Sequence, residues 1–211
     1  NGGFMSLIAF PSTLSELVSQ FRWEQKRNDS AFRSTFGAQA IEVTAPLWVA
    51  SLVGNRVNDD SVSAGAWQAL MMQLRGQTNQ LALWNIARPV PIGTMRGTMT
   101  FNANAAAGAT SLSIVAAGEN AKTLKQGDYL GFGSGLTQQV AMVIADATSN
   151  GSGVIAVTVE PALRNAFVIG NGITWDKPAV LFRRQNSIAG WDYSEMFVSG
   201  FGLDLIEDVR L

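Results

Sequence analysis

The sequence contains no cysteine and no histidine. Without a thiol there is no thiolate nucleophile. Without imidazole there is neither a Ser-His-Asp triad nor a nitrogen ligand for zinc or iron. What remains is carboxylate, lysine or tyrosine chemistry, or an all-oxygen site for calcium or magnesium. The lack of cysteine leaves the redox compartment open, because such a chain behaves alike in a reducing or an oxidising medium. Charge is also scarce. Asp, Glu, Lys and Arg make up 15% of the residues, against about 25% in an ordinary soluble domain. A surface with so few charges is either rich in Ser, Thr, Asn and Gln or covered by other subunits. Fifteen basic residues against sixteen acidic ones give a net charge of −1, which argues against non-specific binding to nucleic acid.

Long apolar runs are missing as well. The longest charge-free stretch, residues 97–118, contains three Gly, two Asn and five Ser or Thr, so it is no membrane span. Met5-Ser-Leu-Ile-Ala-Phe-Pro11 lacks the basic region and the apolar length of a signal peptide. The preceding Asn1-Gly-Gly-Phe4 reads as an expression-tag remnant. What the chain does have is size. At 211 residues it can form one large domain or two small ones, and it buries roughly 70% of its unfolded surface without needing cross-links.

Three regions differ in texture. In residues 5–91, the stretch 38–53 is rich in Ile, Val, Thr, Leu and Trp and alternates at Gln39-Ala-Ile-Glu-Val-Thr44. Pro46 makes it a bent or edge strand, or two strands meeting at a corner. Asp59-Asp60-Ser61 is a helix-capping cluster, and Trp67, Leu70, Met71 and Leu74 follow at helical spacing until Gly76. This predicts one helix at about 61–75. Residues 80–84 read as a strand, and Arg88-Pro-Val-Pro-Ile-Gly93 as a linker. Residues 94–184 then show short β runs at 95–101, 111–115, 129–132, 138–145, 154–159 and 179–183, separated by Gly/Asn turns, the pattern of a small barrel or sandwich. The last 27 residues hold one basic residue, Arg210, against five acidic ones, and alternate from Phe197 to Ile206 as one strand. Too short for a core of its own, that tail must pair with residues 5–91. The predicted fold is therefore mainly β. A discontinuous β-sandwich-like domain with one α-helix, from residues 5–91 and 185–211, carries an inserted small OB-like β-barrel at 92–184.

Candidate site residues are few. Gly131-Phe-Gly-Ser-Gly135 follows a strand, but the dinucleotide fingerprint needs Gly where Leu136 stands, and a helix should follow. A hairpin turn is the better reading. Asp204, Glu207 and Asp208 cluster without the spacing of a calcium loop and read as a solvated strand end, while Asp59-Asp60 reads as a helix cap. The sequons at Asn28 and Asn150 carry no weight. Trp48, Trp67 and Trp84 fall in apolar patterns and belong to a core. Trp175 and Trp191 lie beside turn residues and charges, as candidates for a contact surface. No catalytic, cofactor-binding or metal-ligating residue is assigned.

Several segments carry a resemblance. They are Leu112-Ser-Ile-Val115, Leu124-Lys-Gln-Gly-Asp-Tyr-Leu130, Gln139-Val-Ala-Met-Val143 and Val157-Thr-Val-Glu-Pro-Ala-Leu163. Leu83-Trp-Asn-Ile-Ala-Arg-Pro-Val-Pro-Ile-Gly93 leads into this region, and Phe197-Val-Ser-Gly-Phe-Gly-Leu-Asp-Leu-Ile206 closes the chain. The layout resembles the distal tail proteins of bacteriophages with long flexible tails, in the subgroup with an inserted OB-type barrel, over nearly all of residues 5–211. That resemblance implies a structural virion protein with no enzymatic activity and no cofactor. It would be made in the host cytoplasm and reside at the phage tail tip. There it would form a hexameric ring with itself, dock on the tail tube protein and hold the tail-tip hub or fibre protein. The alternative is a glycan-binding accessory module of the adsorption apparatus, whose barrel face reads a cell-surface glycan. Of the aromatics in residues 94–184, Phe101, Tyr129, Phe132, Phe167, Trp175 and Phe182, most sit in apolar runs, which favours packing over display.

Overall fold

A computed structural model describes residues 6–209, the side chains of Ser34 and Leu136 excepted. The remnant assigned to residues 1–4 and the basic Arg210 lie outside them. In chain order, the first elements are β1 (Leu7–Ala9), α1 (Ser12–Ser15), β2 (Val18–Ser34), β3 (Gly37–Gly54), β4 (Val57–Asn58), α2 (Val62–Gln73) and β5 (Gln80–Trp84). Next come β6 (Met99–Phe101), β7 (Ser111–Ala116), β8 (Thr123–Leu124), β9 (Tyr129–Phe132), β10 (Gln139–Val143), β11 (Ala147–Thr148), β12 (Val154–Glu160) and β13 (Gly172–Thr174). The chain ends with β14 (Ala179–Arg184), β15 (Asp192–Ser194), β16 (Phe197–Ser199) and β17 (Gly202–Glu207). The fold is mainly β and contains a closed barrel.

The described residues divide into two compact units. Those through Lys26, with Leu47–Ala87 and everything from Leu181 onward, form the first; Arg27–Pro46 and Arg88–Val180 form the second. These limits differ from the 91/92 and 184/185 divisions read from the sequence. The far half of the β2–β3 hairpin counts with the barrel, and β14 passes out of the barrel unit after Val180.

In the first unit a six-stranded sheet runs β1-β5-β14-β17-β3-β2, and a three-stranded sheet runs β15-β16-β4. One face of the larger sheet is apolar by simple alternation. Trp48, Ala50 and Leu52 on β3, and Leu203 and Leu205 on β17, are all buried, and the register places Leu205 opposite Ala50 and Leu203 opposite Leu52. Helix α2 forms where the 3.6-residue pattern calls for it. Ser61, with extended φ and ψ, accepts the Ala64 N–H at 3.1 Å and caps it, the task expected of the neighbouring aspartates. Trp67, Leu70, Met71 and Leu74 are buried as expected. A one-turn helix, α1, is additional to the single helix predicted.

The tail departs from expectation in one respect. The single alternating strand over 197–206 is two strands in two sheets: β16 pairs with β4 and β15, and β17 with β14 and β3. Gly200, at φ +78°, turns the chain between them. An added Cβ there would also meet the Asp192 carboxylate at 2.5 Å. The turn shifts the register, so Val198 rather than Phe197 is buried in the first piece.

In the second unit the barrel closes in the order β10-β12-β7-β6-β13-β9, with antiparallel pairing at each step that the register describes. Its core contains Met99, Phe101, Leu112, Ile114, Leu130, Val143, Val157, Val159 and Ile173. Two apolar residues of the strand runs read from the sequence lie outside it. Val140 is buried outside that cluster, and Leu181 belongs to the first unit. The run at 179–183 is likewise not a barrel strand, because β14 pairs with β17. The sixth barrel strand is β13, which the sequence marks as the end of a turn.

Candidate functional site

The chain enters the barrel through a built joint. Asp128, in the Gly-Asp turn, is 1% exposed. Its carboxylate accepts the N–H groups of Ile92 (2.6 Å), Gly93 (3.1 Å) and Lys125 (2.7 Å). The linker comes close enough for this only because residue 93 is glycine. A Cβ there would sit 2.2 Å from the Thr123 carbonyl oxygen. Replacing Asp128 with Ala strands three backbone donors, and hydrogen bonds to a charged group contribute about 1.5–3 kcal/mol each. Asp128→Ala should therefore lower barrel stability by at least about 4 kcal/mol in urea unfolding. A loss under about 1 kcal/mol would mean that this carboxylate does not anchor the linker.

The carboxylates of the terminal segment, Asp204, Glu207 and Asp208, are also structural. Glu207 is 4% exposed and accepts the Trp48 N–H at 2.9 Å, Asp208 accepts Gln80 Nε2 at 2.9 Å, and Asp204 accepts the Ser51 hydroxyl at 2.8 Å. Glu207 and Asp208 are thus woven into the sheet rather than forming a solvated strand end. Among the described residues no cluster of acidic side chains is arranged to hold a metal ion. Asp146 is exposed on the barrel. Its side-chain bond from Lys125 Nζ at 2.6 Å, followed by the Gln126 N–H at 2.9 Å, holds its carboxyl below the usual carboxylate range. Arg184 is fully buried. It donates to Asn186 Oδ1 at 2.8 Å and to the Ile188 carbonyl. Burial pushes the guanidinium below its ordinary value, and the Asp204 charge works in the opposite direction.

Gly131–Gly135 is part of a hairpin, as its sequence suggests: β9 pairs antiparallel with β10 across a 3₁₀ turn at Gly135–Thr137. Beside it opens a cleft of about 610 Å³. Thr98, Ser134, Thr137, Asn171 and Thr174 supply its polar lining, and none of the described lining residues is titratable. Such a cleft can hydrogen-bond a neutral polar group but offers no acid, base or nucleophile–base pair. The aromatics do not gather there as a platform. Phe101, Phe132 and Phe167 pack together in the barrel core, with Phe101 and Phe167 stacked nearly parallel at 5.2 Å and Phe132 tilted against both. Phe182 lies in the first unit against Trp23. Trp175 is half-buried on the barrel core, gives its Nε1–H to the Gly97 carbonyl at 2.7 Å, and is covered by Arg96 at 5.1 Å. Trp191 is half-buried. Asn150 caps a turn through the N–H groups of Ser152 and Val154, and Asn28 lies cross-strand to Thr44.

The feature that sequence reading missed is β2, and with it the β2–β3 hairpin; β3 corresponds to the strand expected at 38–53. The hairpin's strands are 17 and 18 residues long, or about 55–60 Å at roughly 3.4 Å per residue. At its base it belongs to the six-stranded sheet, where β2 is an edge and Trp23 packs on Trp48 and Phe182. Pro46 is tolerated because β3 meets β17 only over Val49–Val53, so position 46 lies beyond that ladder. From Gly37 to Ala45 every β3 residue is exposed. Within the second unit, Arg27 on this far half pairs with Glu160 of β12 at 2.5 Å. Phe21 and Trp23 alternate with Arg22 and Glu24, the one local sign of β2. The rest of the strand buries neither face and leaves no pattern to read.

Neither a family model nor a curated protein matches the chain. Among the described residues no helix is long and apolar enough to cross a membrane.

Proposed function

We propose that this chain is a structural virion protein that forms a ring, six subunits around, at the distal end of a long flexible phage tail. In that role it joins the tail tube to the tail-tip hub or fibre. The observation that carries this reading beyond the sequence resemblance is the extended hairpin. A two-stranded ribbon whose outer half is so exposed is marginal by itself, and its open edge is the kind of surface that proteins pair or cover. The scarcity of charge and the absence of titratable residues from the barrel cleft agree with a scaffold rather than a catalyst. A second reading, glycan binding by the barrel, draws on the hydroxyl- and amide-lined cleft and is weakened by the buried aromatics. Light scattering over a wide concentration range tests the ring. Six chains of 22.5 kDa give about 135 kDa, with sixfold annuli expected in electron micrographs. A chain that remains monomeric at every concentration overturns the ring.

A further inference from the structure

The hairpin tip is apolar and carries one positive charge. Phe32 is 62% exposed and Phe36 99%, and Ile41, a few residues along β3, is 46% exposed. Arg33 is the sole charged residue between Asp29 and Glu42. Phe32, Arg33 and Phe36 line a shallow concavity of about 390 Å³ at the tip. Exposed rings on a ribbon of this length are costly in water unless another surface covers them.

A second surface on the same chain has the opposite charge. The three-stranded sheet and the start of α2 present Val62, Tyr193 and Met196, at 91%, 64% and 72% exposure. These belong to one surface. The Asp59 N–H donates to the Met196 carbonyl at 3.0 Å, Gln68 Nε2 donates to Tyr193 Oη at 3.2 Å, and Val62 follows the capping Ser61 directly. The exposed carboxylates of Asp59, Asp60 and Glu195 neighbour them along the chain. Arg56 is engaged with Phe197 and Ser194: it lies over the Phe197 ring at 4.0 Å and donates to the Ser194 hydroxyl. The patch therefore combines an apolar centre with a net negative rim.

We infer that the hairpin tip of one copy docks on the α2/three-stranded-sheet patch of the next copy, with Arg33 facing the Asp59–Asp60 and Glu195 carboxylates. Both surfaces are apolar and their charges are complementary. Because donor and acceptor are different surfaces of the same chain, the contact is head-to-tail, the type that closes into rings. This inference rests on the ring reading and supplies its subunit interface.

The test uses two full-length variants. Phe32→Ser/Phe36→Ser disables the tip, and Val62→Asp/Met196→Asp disables the patch. All four residues are exposed, so both variants should keep the thermal midpoint of the parent. Each alone should raise the concentration for half-assembly at least tenfold. Mixed in equal amounts, they should form a complex of two chains, about 45 kDa from 22.5 kDa each, because a good tip meets a good patch once only. The association should weaken with added salt as the Arg33–carboxylate attraction is screened. If the parent forms rings and either variant still does, or the mixture stays monomeric, the interface is wrong and the ring survives. If the parent never assembles, both readings fall.

Discussion

Deleting residues 190–211 should unfold the first unit and leave the barrel folded. The deletion removes β17, which lies between β14 and β3 and pairs with both, through Phe182–Arg184 on one side and Val49–Val53 on the other. Its loss leaves a gap of about two strand spacings, roughly 10 Å, that neither neighbour can bridge without moving the sheet. The buried side chains of Val198, Phe201, Leu203 and Leu205 go with it. Emptying an aliphatic or aromatic core position costs about 2–5 kcal/mol, so four such losses approach or exceed the total stability of roughly 5–15 kcal/mol typical of a domain. Trp48 loses its bond to Glu207, and Gln80 its bond to Asp208. Trp23, Trp48, Trp67 and Trp84 all lie in the first unit, so intrinsic fluorescence reads the event directly. Emission should shift strongly to the red, and protease should digest the first unit while a barrel fragment resists. Unchanged emission in a protease-resistant protein would show that the terminal strand is dispensable.

The sequence disclosed those parts of the fold in which one face is buried and the other wet. Helix α2 was legible because Trp67, Leu70, Met71 and Leu74 repeat at helical spacing and Gly76 follows. The strands β7, β9 and β12 were legible because Leu112 and Ile114, Leu130 and Phe132, or Val157 and Val159 alternate with polar or small neighbours. Legibility fails where burial follows another rule. The outer half of β2 buries neither face, so Lys26-Arg-Asn-Asp-Ser30 offers no period to read although it is strand, whereas the alternation of 39–44 did mark β3. β1 and β13 are three residues each, too short to show a period. They are fixed by partners far off in the sequence: β5 pairs with β1, and β6 and β9 with β13. The carboxylates of Glu207 and Asp208 looked like a wet strand end, because nothing in the local sequence announces that Trp48 N–H and Gln80 lie within reach. As for the candidate interface, the tip was not legible, because Phe32 and Phe36 sit in a stretch with no period to set them apart. The patch that would receive it is assembled from residues 59–62 and 192–196, which only the pairing of β16 with β4 brings together.

Trp67→Ala should cost the first unit about 4 kcal/mol, near the upper part of the range for emptying a large aromatic site. Trp67 is fully buried. Its ring stacks on Phe201 with centroids 5.7 Å apart and planes 13° from parallel, and meets Phe10 edge-on at 6.2 Å. Gly54 is packed so closely below it that an added Cβ would lie 3.0 Å from Cε2 of the indole. The helix, β3 and the terminal segment therefore converge on this one ring, and no neighbour of similar size can move into its place without dragging backbone along. Trp67→Phe separates packing from polarity. The indole Nε1–H is buried without a hydrogen-bond partner among the described residues, and an orphaned donor of this kind costs about 1–3 kcal/mol. Phenylalanine keeps much of the stack and removes that donor, so its smaller volume is offset. The expected loss is under about 1.5 kcal/mol, less than half that of the alanine variant, with an unchanged denaturant slope. Urea unfolding followed by far-ultraviolet circular dichroism gives both values. Equal losses for Phe and Ala would mean that the indole nitrogen holds a water or other partner whose removal is itself expensive, and the assignment of Trp67 as a purely packed core residue would fail.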